Sequence, residues 1–455
     1  MSRVRQSVLA LGTLALVFGL GWYHAHYRAD SYQFGRDNPF WAFALLAALH
    51  WMAAAVLGVP DEPRDWQPAV FTSALAVAIA TGAFTLFGLI RPGLLPRFVL
   101  LTAPVVVGLW EIVACGWSHR QRTGSHRGDV VMGVLAQDEA SFLRSEASLD
   151  TSDPEVPFRL SDVLTLDDLT PAVLDSAARR AHVTVIVLSD DAQRSDLVLE
   201  AVATLHEEGV RVRSLEGFCD EWLGKLPLSS LGRMALLTDI NEVHGGPYPH
   251  LKRGVDVAVG SIGCIICAFL MPVIGTVNLL GNRGPLFFRQ TRIGRNGVEF
   301  EMYKFRTMYA ESALRSADHG SRADKSGSKL NPSIWTEVDD PRITPFGRIL
   351  RRTHLDELPQ FVNILKGELS LVGPRPEQPH YVEELTRKLP FYGLRHIAQP
   401  GLTGWAQVKY RYGASEADAF QKLQYDLYYL RHQSVSLDLR VLSRTLRSVV
   451  FGRGR

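Results

Sequence analysis

Four apolar stretches fill the opening of this chain, at residues 7–23, 39–59, 68–90 and 94–117. Each is about long enough to cross a hydrocarbon core of about 30 Å. Four transmembrane helices are therefore expected over residues 1–117. A secretory signal peptide is the competing reading of the first stretch. Its end, GWYHAHYR, offers no small-residue cleavage site, and three more apolar stretches follow it. Arg3 and Arg5 precede the first stretch, and Arg120, Arg122 and Arg127 follow the fourth. The excess of positive charge places both flanks in the cytoplasm, so everything from Ser118 onward starts there.

A length of 455 residues with 46% hydrophobic side chains suggests two or three folded units, with membrane segments diluted by soluble ones. Charge divides the chain into three. Lys and Arg number 10 against 6 Asp and Glu over residues 1–127, 9 against 22 over 128–250, and 30 against 19 over 251–455. The acidic middle argues against nucleic acid as a partner. The basic last region suits an anionic lipid surface and a nucleotide substrate.

Residues 118–247 read as a small cytoplasmic α/β domain. HVTVIVLSD from His182 has the pattern of a short buried strand, SDLVLEAVATLHEEG that of a helix, and VRVRSL that of a second strand. Strand, helix, strand implies a parallel pair of Rossmann-like kind. The Gly-rich turn that would receive a dinucleotide is missing, since GDVVMGVLAQDEAS from Gly128 contains no G-x-G-x-x-G. A structural or regulatory role is expected there rather than a cofactor site, and the domain is a candidate homodimer contact. The Y-x-x-x-K spacing of Tyr248 and Lys252 is taken as chance, because Pro249 works against the helical turn it needs.

The apolar run at 253–281 has basic residues on both sides, Lys252 and Arg253 before it and Arg283, Arg289, Arg292 and Arg295 after it. Positive charge at both ends opposes crossing. Pro272 lies deep in the run, where it favours a kink. A bent helix that enters the cytoplasmic leaflet and returns to the same face is expected, with a fifth crossing as the alternative. Cys264 and Cys267 form a C-x-x-C inside this run with no second ligand pair, and are read as apolar packing.

Asp356 and Glu357 stand side by side, with Arg351 and Arg352 before them and Arg375 after them. Two adjacent carboxylates can divide the labour between attacking a phosphorus and holding a metal, while guanidinium groups neutralise phosphoryl oxygens. Thr353 is expected to cap a helix beginning near His354, with Pro359 close to its start and Gly367 at its end. Lys304 and Arg306 could line the same pocket. Arg375 lies between Pro374 and Pro376, rigid neighbours suited to an anion clamp. Asp426 and Asp438 could each approach a metal or sugar, with a place on a helix surface as the alternative. The polar stretch 310–333 is read as a mobile loop near the site. In the last helix Arg440, Arg444 and Arg447 share a face suited to the anionic membrane interface, with packing against the domain as the alternative.

The motifs FRQTRIGRNGVEFEMYKFRTM (288–308), DDPRITPFGRILRRTHLDELPQ (339–360), NILKGELSLVGPRPE (363–377) and PGLTGWAQVKYRYGASEADAFQKLQYDLYYLRHQSVSLDL (400–439) carry a strong resemblance. From about residue 248 to 455 the chain resembles the bacterial sugar transferase family, the monotopic polyprenyl-phosphate phosphoglycosyl transferases. The resemblance implies a membrane protein of three parts: an α-helical N-terminal bundle (1–117), an α/β soluble domain (118–247), and a mostly α monotopic catalytic domain (248–455) with a re-entrant membrane helix. It also implies a bacterial inner-membrane location with the catalytic domain on the cytoplasmic face. The implied reaction moves a sugar 1-phosphate from a nucleotide diphospho-sugar, a UDP-sugar above all, to undecaprenyl phosphate, at the first membrane step of exopolysaccharide or O-antigen synthesis. In this reading Asp356 attacks the sugar-bearing phosphate, Glu357 helps to hold Mg²⁺, and Arg351 and Arg375 bind phosphate oxygens. The chain departs from the family at His354, where many members have Ser, and at Lys409 and Tyr410, which replace an asparagine-containing turn. A membrane-anchored nucleotide-sugar-modifying enzyme and a non-enzymatic scaffold are the alternatives. A common metal-dependent glycosyltransferase would show an Asp-x-Asp, and the chain has none.

Overall fold

The structure, a computed structural model, describes residues 2–27, 39–60, 66–90, 94–124, 129–149, 158–166, 169–228, 246–281, 284–309, 342–410 and 415–450. The stretch 310–333 lies outside the described residues. The chain forms two compact units, 1–231 and 232–455.

The first unit opens with four apolar helices, α1 (Ser2–Tyr27), α2 (Phe40–Val56), α3 (Trp66–Ile90) and α4 (Arg97–Gly124). Three contain a span of 22 residues or more, whereas α2 has only 17 and gives way to a turn over 57–60. Small residues let the helices approach closely, as in other membrane bundles. A side chain at Gly12 would collide with the Trp110 ring, whose Nε1 donates to Leu9 O at 3.2 Å. Val17, Phe43, Leu46, Phe84, Val99 and Val107 fill the bundle core.

The same unit continues as an α/β layer: β1 (Asp129–Leu135), α5 (Gln137–Leu149), β2 (Phe158–Thr165), α6 (Pro171–Ala181), β3 (Val185–Leu188), α7 (Asp196–Glu207) and β4 (Arg211–Ser214). The four strands are parallel in the order β2-β1-β3-β4. The expected pair is present as β3 and β4, with Val185 opposite Arg211 and Leu188 opposite Ser214. Val185, Ile186, Val187 and Leu188 are all buried because helices cover both faces of a parallel sheet. The order of strands reverses between β1 and β3, the place where such sheets form a crevice.

The second unit begins with α8 (Tyr248–Gly281), one helix of 34 residues that runs through Pro272 without interruption. Pro249 stands in its first turn, where a missing N–H does no harm. The expectation that Pro249 prevents a helical turn is therefore corrected. A hairpin follows, β5 (Phe287–Ile293) against β6 (Glu299–Phe305), with Phe288 paired to Lys304. Then come α9 (Pro345–Arg352), α10 (Gln360–Lys366), β7 (Ser370–Val372), α11 (Pro379–Lys388), β8 (Gly401–Thr403), α12 (Trp405–Lys409), α13 (Glu416–Arg431) and α14 (Val435–Val450). β7 and β8 form a short parallel pair.

Helix α8 packs along the whole domain. At its start Arg253 donates to Ile364 O at 2.6 Å and Leu365 O at 2.7 Å, and Asp256 accepts from Leu371 N at 2.9 Å. Farther on, Gly260 and Gly263 let Ile364, Leu365 and Phe361 approach its backbone. Near its end Cys267 and Ile274 share a core with Phe305 and Leu350, which fits the apolar reading of the C-x-x-C. The other side exposes Ile262, Ile265, Ile266, Phe269, Val273 and Leu279. Helix α14 buries Leu437 and Val441 and sets Arg444 over the Trp405 ring at 5.2 Å, so this arginine packs against the domain. Leu446 and Val449 are exposed.

Candidate active site

The turn bearing Asp356 and Glu357 is built differently from the expected cap. Thr344 caps α9, accepting from Gly347 N at 2.9 Å. Gly347 has no room for a side chain, since a Cβ would overlap Thr307 O. Thr353 closes the end of α9, its hydroxyl donating to Ile349 O at 2.8 Å, rather than starting a new helix. His354 then adopts the left-handed region, with φ of 56°. This breaks the helix and throws the chain into a single 3-10 turn, Leu355–Glu357. Pro359 precedes α10, and Gly367, with φ of 81°, ends it as expected.

Asp356 is buried, with 7% exposure, and Glu357 faces a small cleft that Lys304, Gln360, Arg375, Pro376 and Gly401 also line. Lys304 Nζ donates to Glu357 Oε1 at 2.7 Å. Burial would raise the Glu357 carboxyl, but Lys304 and Arg375 outweigh it and hold the pKa at about 2. The side chain keeps about a quarter of its exposure, so it is ionised and reachable.

Asn363 sets the position of Lys304 on β6, although sequence reasoning missed it. Its Oδ1 accepts from Tyr303 N at 3.1 Å, and its Nδ2 donates to Glu301 O and to Glu368 Oε2, each at 2.7 Å. The available signal was a polar residue amid the apolar ones of QFVNILK.

Arg375 is exposed between buried Pro374 and Pro376, which presents its guanidinium outward from a fixed loop. Behind the loop Arg292 donates to Pro376 O at 3.2 Å and pairs with Glu377 at 3.5 Å. Burial pulls the Arg292 guanidinium down to about 10 against the pull of Glu377.

The other sequence-picked residues lie elsewhere. Arg351 directs its Nε to Thr307 Oγ1 at 2.9 Å, and Arg306 packs against Gly284. Neither lines the cleft with Glu357. Asp426 is buried against Arg395 at 2.7 Å. Burial pushes its carboxyl up to about 6, with Arg395 pulling the other way. Asp438 accepts from Tyr248 at 2.9 Å, from Lys252 at 2.8 Å and from Tyr429 at 2.8 Å. Neither carboxylate lies on an open helix surface. The Tyr248 and Lys252 spacing, read as chance, has a structural use: both side chains tie the start of α8 to α14 through Asp438. Among the described residues no group of three His, Cys, Asp or Glu side chains is placed to hold a metal.

A family model described as bacterial sugar transferase matches residues 248–452. The chain is 37% identical over 207 residues to the UDP-N-acetylgalactosamine-undecaprenyl-phosphate N-acetylgalactosaminephosphotransferase of Aeromonas hydrophila, covering 46% of this chain and 45% of that one. It is 34% identical to the UDP-glucose:undecaprenyl-phosphate glucose-1-phosphate transferase of Caulobacter vibrioides, over 45% of this chain and 74% of that one. It is 38% identical to the uncharacterized sugar transferase EpsL of Bacillus subtilis, over 45% of this chain and 89% of that one. Against longer curated relatives the chain spans under half their length, 34% to 45%.

Proposed function

This chain belongs to the bacterial sugar transferase family, and from that premise we propose that it moves a sugar 1-phosphate from a UDP-sugar to undecaprenyl phosphate and releases UMP. The observation that carries the reading is one cleft in which an ionised Glu357 meets Lys304 and Arg375, one residue from a buried Asp356. That arrangement sets cations suited to a diphosphate around Glu357, next in sequence to the carboxylate proposed as nucleophile.

In the first step a carboxylate oxygen of Asp356 attacks the sugar-bearing phosphorus. The bond from that phosphorus to the bridging oxygen breaks, and UMP leaves with the electron pair. A carboxylate needs no general base for this attack. In the second step an oxygen of the polyprenyl phosphate attacks the same phosphorus, and Asp356 is released. Lys304 and Arg375 neutralise the phosphoryl oxygens in both steps, and kinetics are ping-pong.

Mg²⁺ fits this donor set. It is ordinarily held by one or two carboxylates together with substrate phosphates, and Glu357 supplies one carboxylate kept ionised far below neutral pH. Glu357 would hold the ion, which when bound supplies charge neutralisation of the diphosphate.

On the proposed reading the catalytic unit lies on the cytoplasmic face of the inner membrane, with α8 as a re-entrant element. The helix is about 51 Å long at 1.5 Å per residue. A straight crossing would carry its far end out of reach of a cytoplasmic domain, yet Ile274 packs on Phe305 and Leu350 of that domain. Its exposed apolar side is then the lipid side. Labelling of single cysteines placed just before and just after α8 tests this, and reaction from opposite faces of the membrane defeats it.

Incubating membranes with a panel of UDP-sugars and undecaprenyl phosphate tests the activity. Release of UMP is expected. Release of UDP means glycosyl transfer instead, and no product from any sugar favours the scaffold.

A further inference from the structure

Arg375 works from a loop, and a loop holds a guanidinium in place only if its backbone is held. Here three consecutive carbonyls are each taken by a donor from a different element. Pro374 O accepts from Gly401 N at 2.9 Å, Arg375 O from Arg395 Nη2 at 3.0 Å, and Pro376 O from Arg292 Nη1 at 3.2 Å. Gly373 N donates to Thr403 O at 2.9 Å, and any side chain at Gly373, Gly401 or Gly404 would strike neighbouring backbone. Of the three donors, Arg395 alone bonds Arg375 itself.

Arg395 is itself held at both terminal nitrogens, while its buried Nε has no hydrogen-bond partner among the described residues. Its side chain is 7% exposed and its Nη2 lies 2.7 Å from Asp426 Oδ2, on a carboxylate 2% exposed. Its Nη1 donates to Tyr392 OH at 2.6 Å, and its guanidinium sits 5.1 Å from the Tyr392 ring centre. A buried ion pair of this kind is a weak source of net stability, because removing two charges from water offsets their attraction. What it does supply is direction, since a planar guanidinium sends its donors along fixed lines.

We propose that Arg395, with Asp426 and Tyr392, is a positioning clamp for Arg375. These side chains touch no substrate and determine where the phosphate-binding guanidinium stands. The inference rests on the role given to Arg375 under the proposed function. It also assigns Asp426 a place behind the site, not at the metal or the sugar.

A double-mutant cycle tests it. Arg375→Ala is expected to lower kcat/KM for the UDP-sugar by about 10²- to 10³-fold, as loss of a preorganised charge partner does. Arg395→Lys keeps the charge and loses the fork. It should lower kcat/KM by about 100-fold, the effect of roughly 1 Å of misplacement, and Asp426→Asn should act in the same direction. In the Arg375→Ala background Arg395→Lys should add less than about threefold, because the group it positions is already gone. Multiplying losses would overturn the clamp. If Arg375→Ala keeps full activity, the phosphate-binding role fails instead.

Amide exchange gives a readout independent of turnover. In Arg395→Lys the amides of Gly373 and Gly401, whose bonds hold this loop, should exchange at least tenfold faster, with α8 and α10 unchanged. Unaltered exchange at both glycines, or equal loosening everywhere, would defeat the inference.

Discussion

Two glutamates, Glu139 in the first unit and Glu357 in the second, are moved in opposite directions by their surroundings. Glu139 lies just past β1, at the crevice where the parallel sheet reverses its strand order. Burial raises its carboxyl, and Asp190, Asp191 and Asp138 raise it further, while the Ala136 amide pulls it down. Glu357 is held at about 2 by Lys304 and Arg375 against the push of burial. The sheet thus has the architecture that often receives a dinucleotide, with carboxylates gathered where the phosphates would come. Among the described residues the second unit has only two-stranded sheets, and its cleft gathers cations. Fold alone does not settle function, and the sign of the local charge is what distinguishes the two places.

The largest effect should separate the units outright. Asp356→Asn is expected to lower UMP release by about 10⁴-fold or more, the scale seen when a nucleophile is removed. Activity within tenfold of the parent, or quenched protein that never carries a phosphosugar on the peptide containing residue 356, breaks the assignment. Chelation comes next. Ethylenediaminetetraacetate should stop UMP release and added Mg²⁺ should restore it, whereas turnover that survives exhaustive chelation removes the metal from the reaction.

Lys304→Gln sharpens the comparison by making the second site more like the first. With Glu357 depressed from an ordinary value near 4.5 to about 2, its ion pair stabilises the fold fully above pH 4.5. That contribution fades as pH falls towards 2. The exposed part of the pair keeps the contribution small. Loss of Lys304 should move the acid limb of the rate profile upward by about one pH unit or more, and an unmoved limb would show that Lys304 does not govern Glu357.

The smallest effect belongs to the first unit. Because Glu139 is raised in the fold, its ionisation lowers stability as pH climbs above its ordinary value. Glu139→Gln should therefore raise the melting temperature at neutral pH by about 1 °C and leave UMP release within twofold. A fall in melting temperature, or a loss of transfer, would tie this crevice to the reaction.

Legibility in the sequence varied with range. The parallel β3–β4 pair was readable because a run of apolar β-formers, a helical stretch and a second run lie within about thirty residues. The end of α10 at Gly367 was readable because a left-handed residue favours glycine. The start of the same region was misread, since Thr353 and Asp356 have cap-like spacing while His354 takes the left-handed conformation between them. Asp426 and Asp438 read as able to approach a metal or sugar or else to lie on a helix surface, and burial with Arg395 and with Tyr248, Lys252 and Tyr429 was invisible to spacing.

The order of amino acids alone determined the long apolar helices, one parallel strand pair and the proline frame around Arg375, because each depends on neighbours within a few turns of chain. Only the folded chain decided which charges meet. Lys304 reaches Glu357 across 53 residues and Arg395 reaches the Arg375 carbonyl across 20. A linear sequence gives a side chain no direction in space, so the sign of the field at each glutamate exists only once these distant segments have packed together.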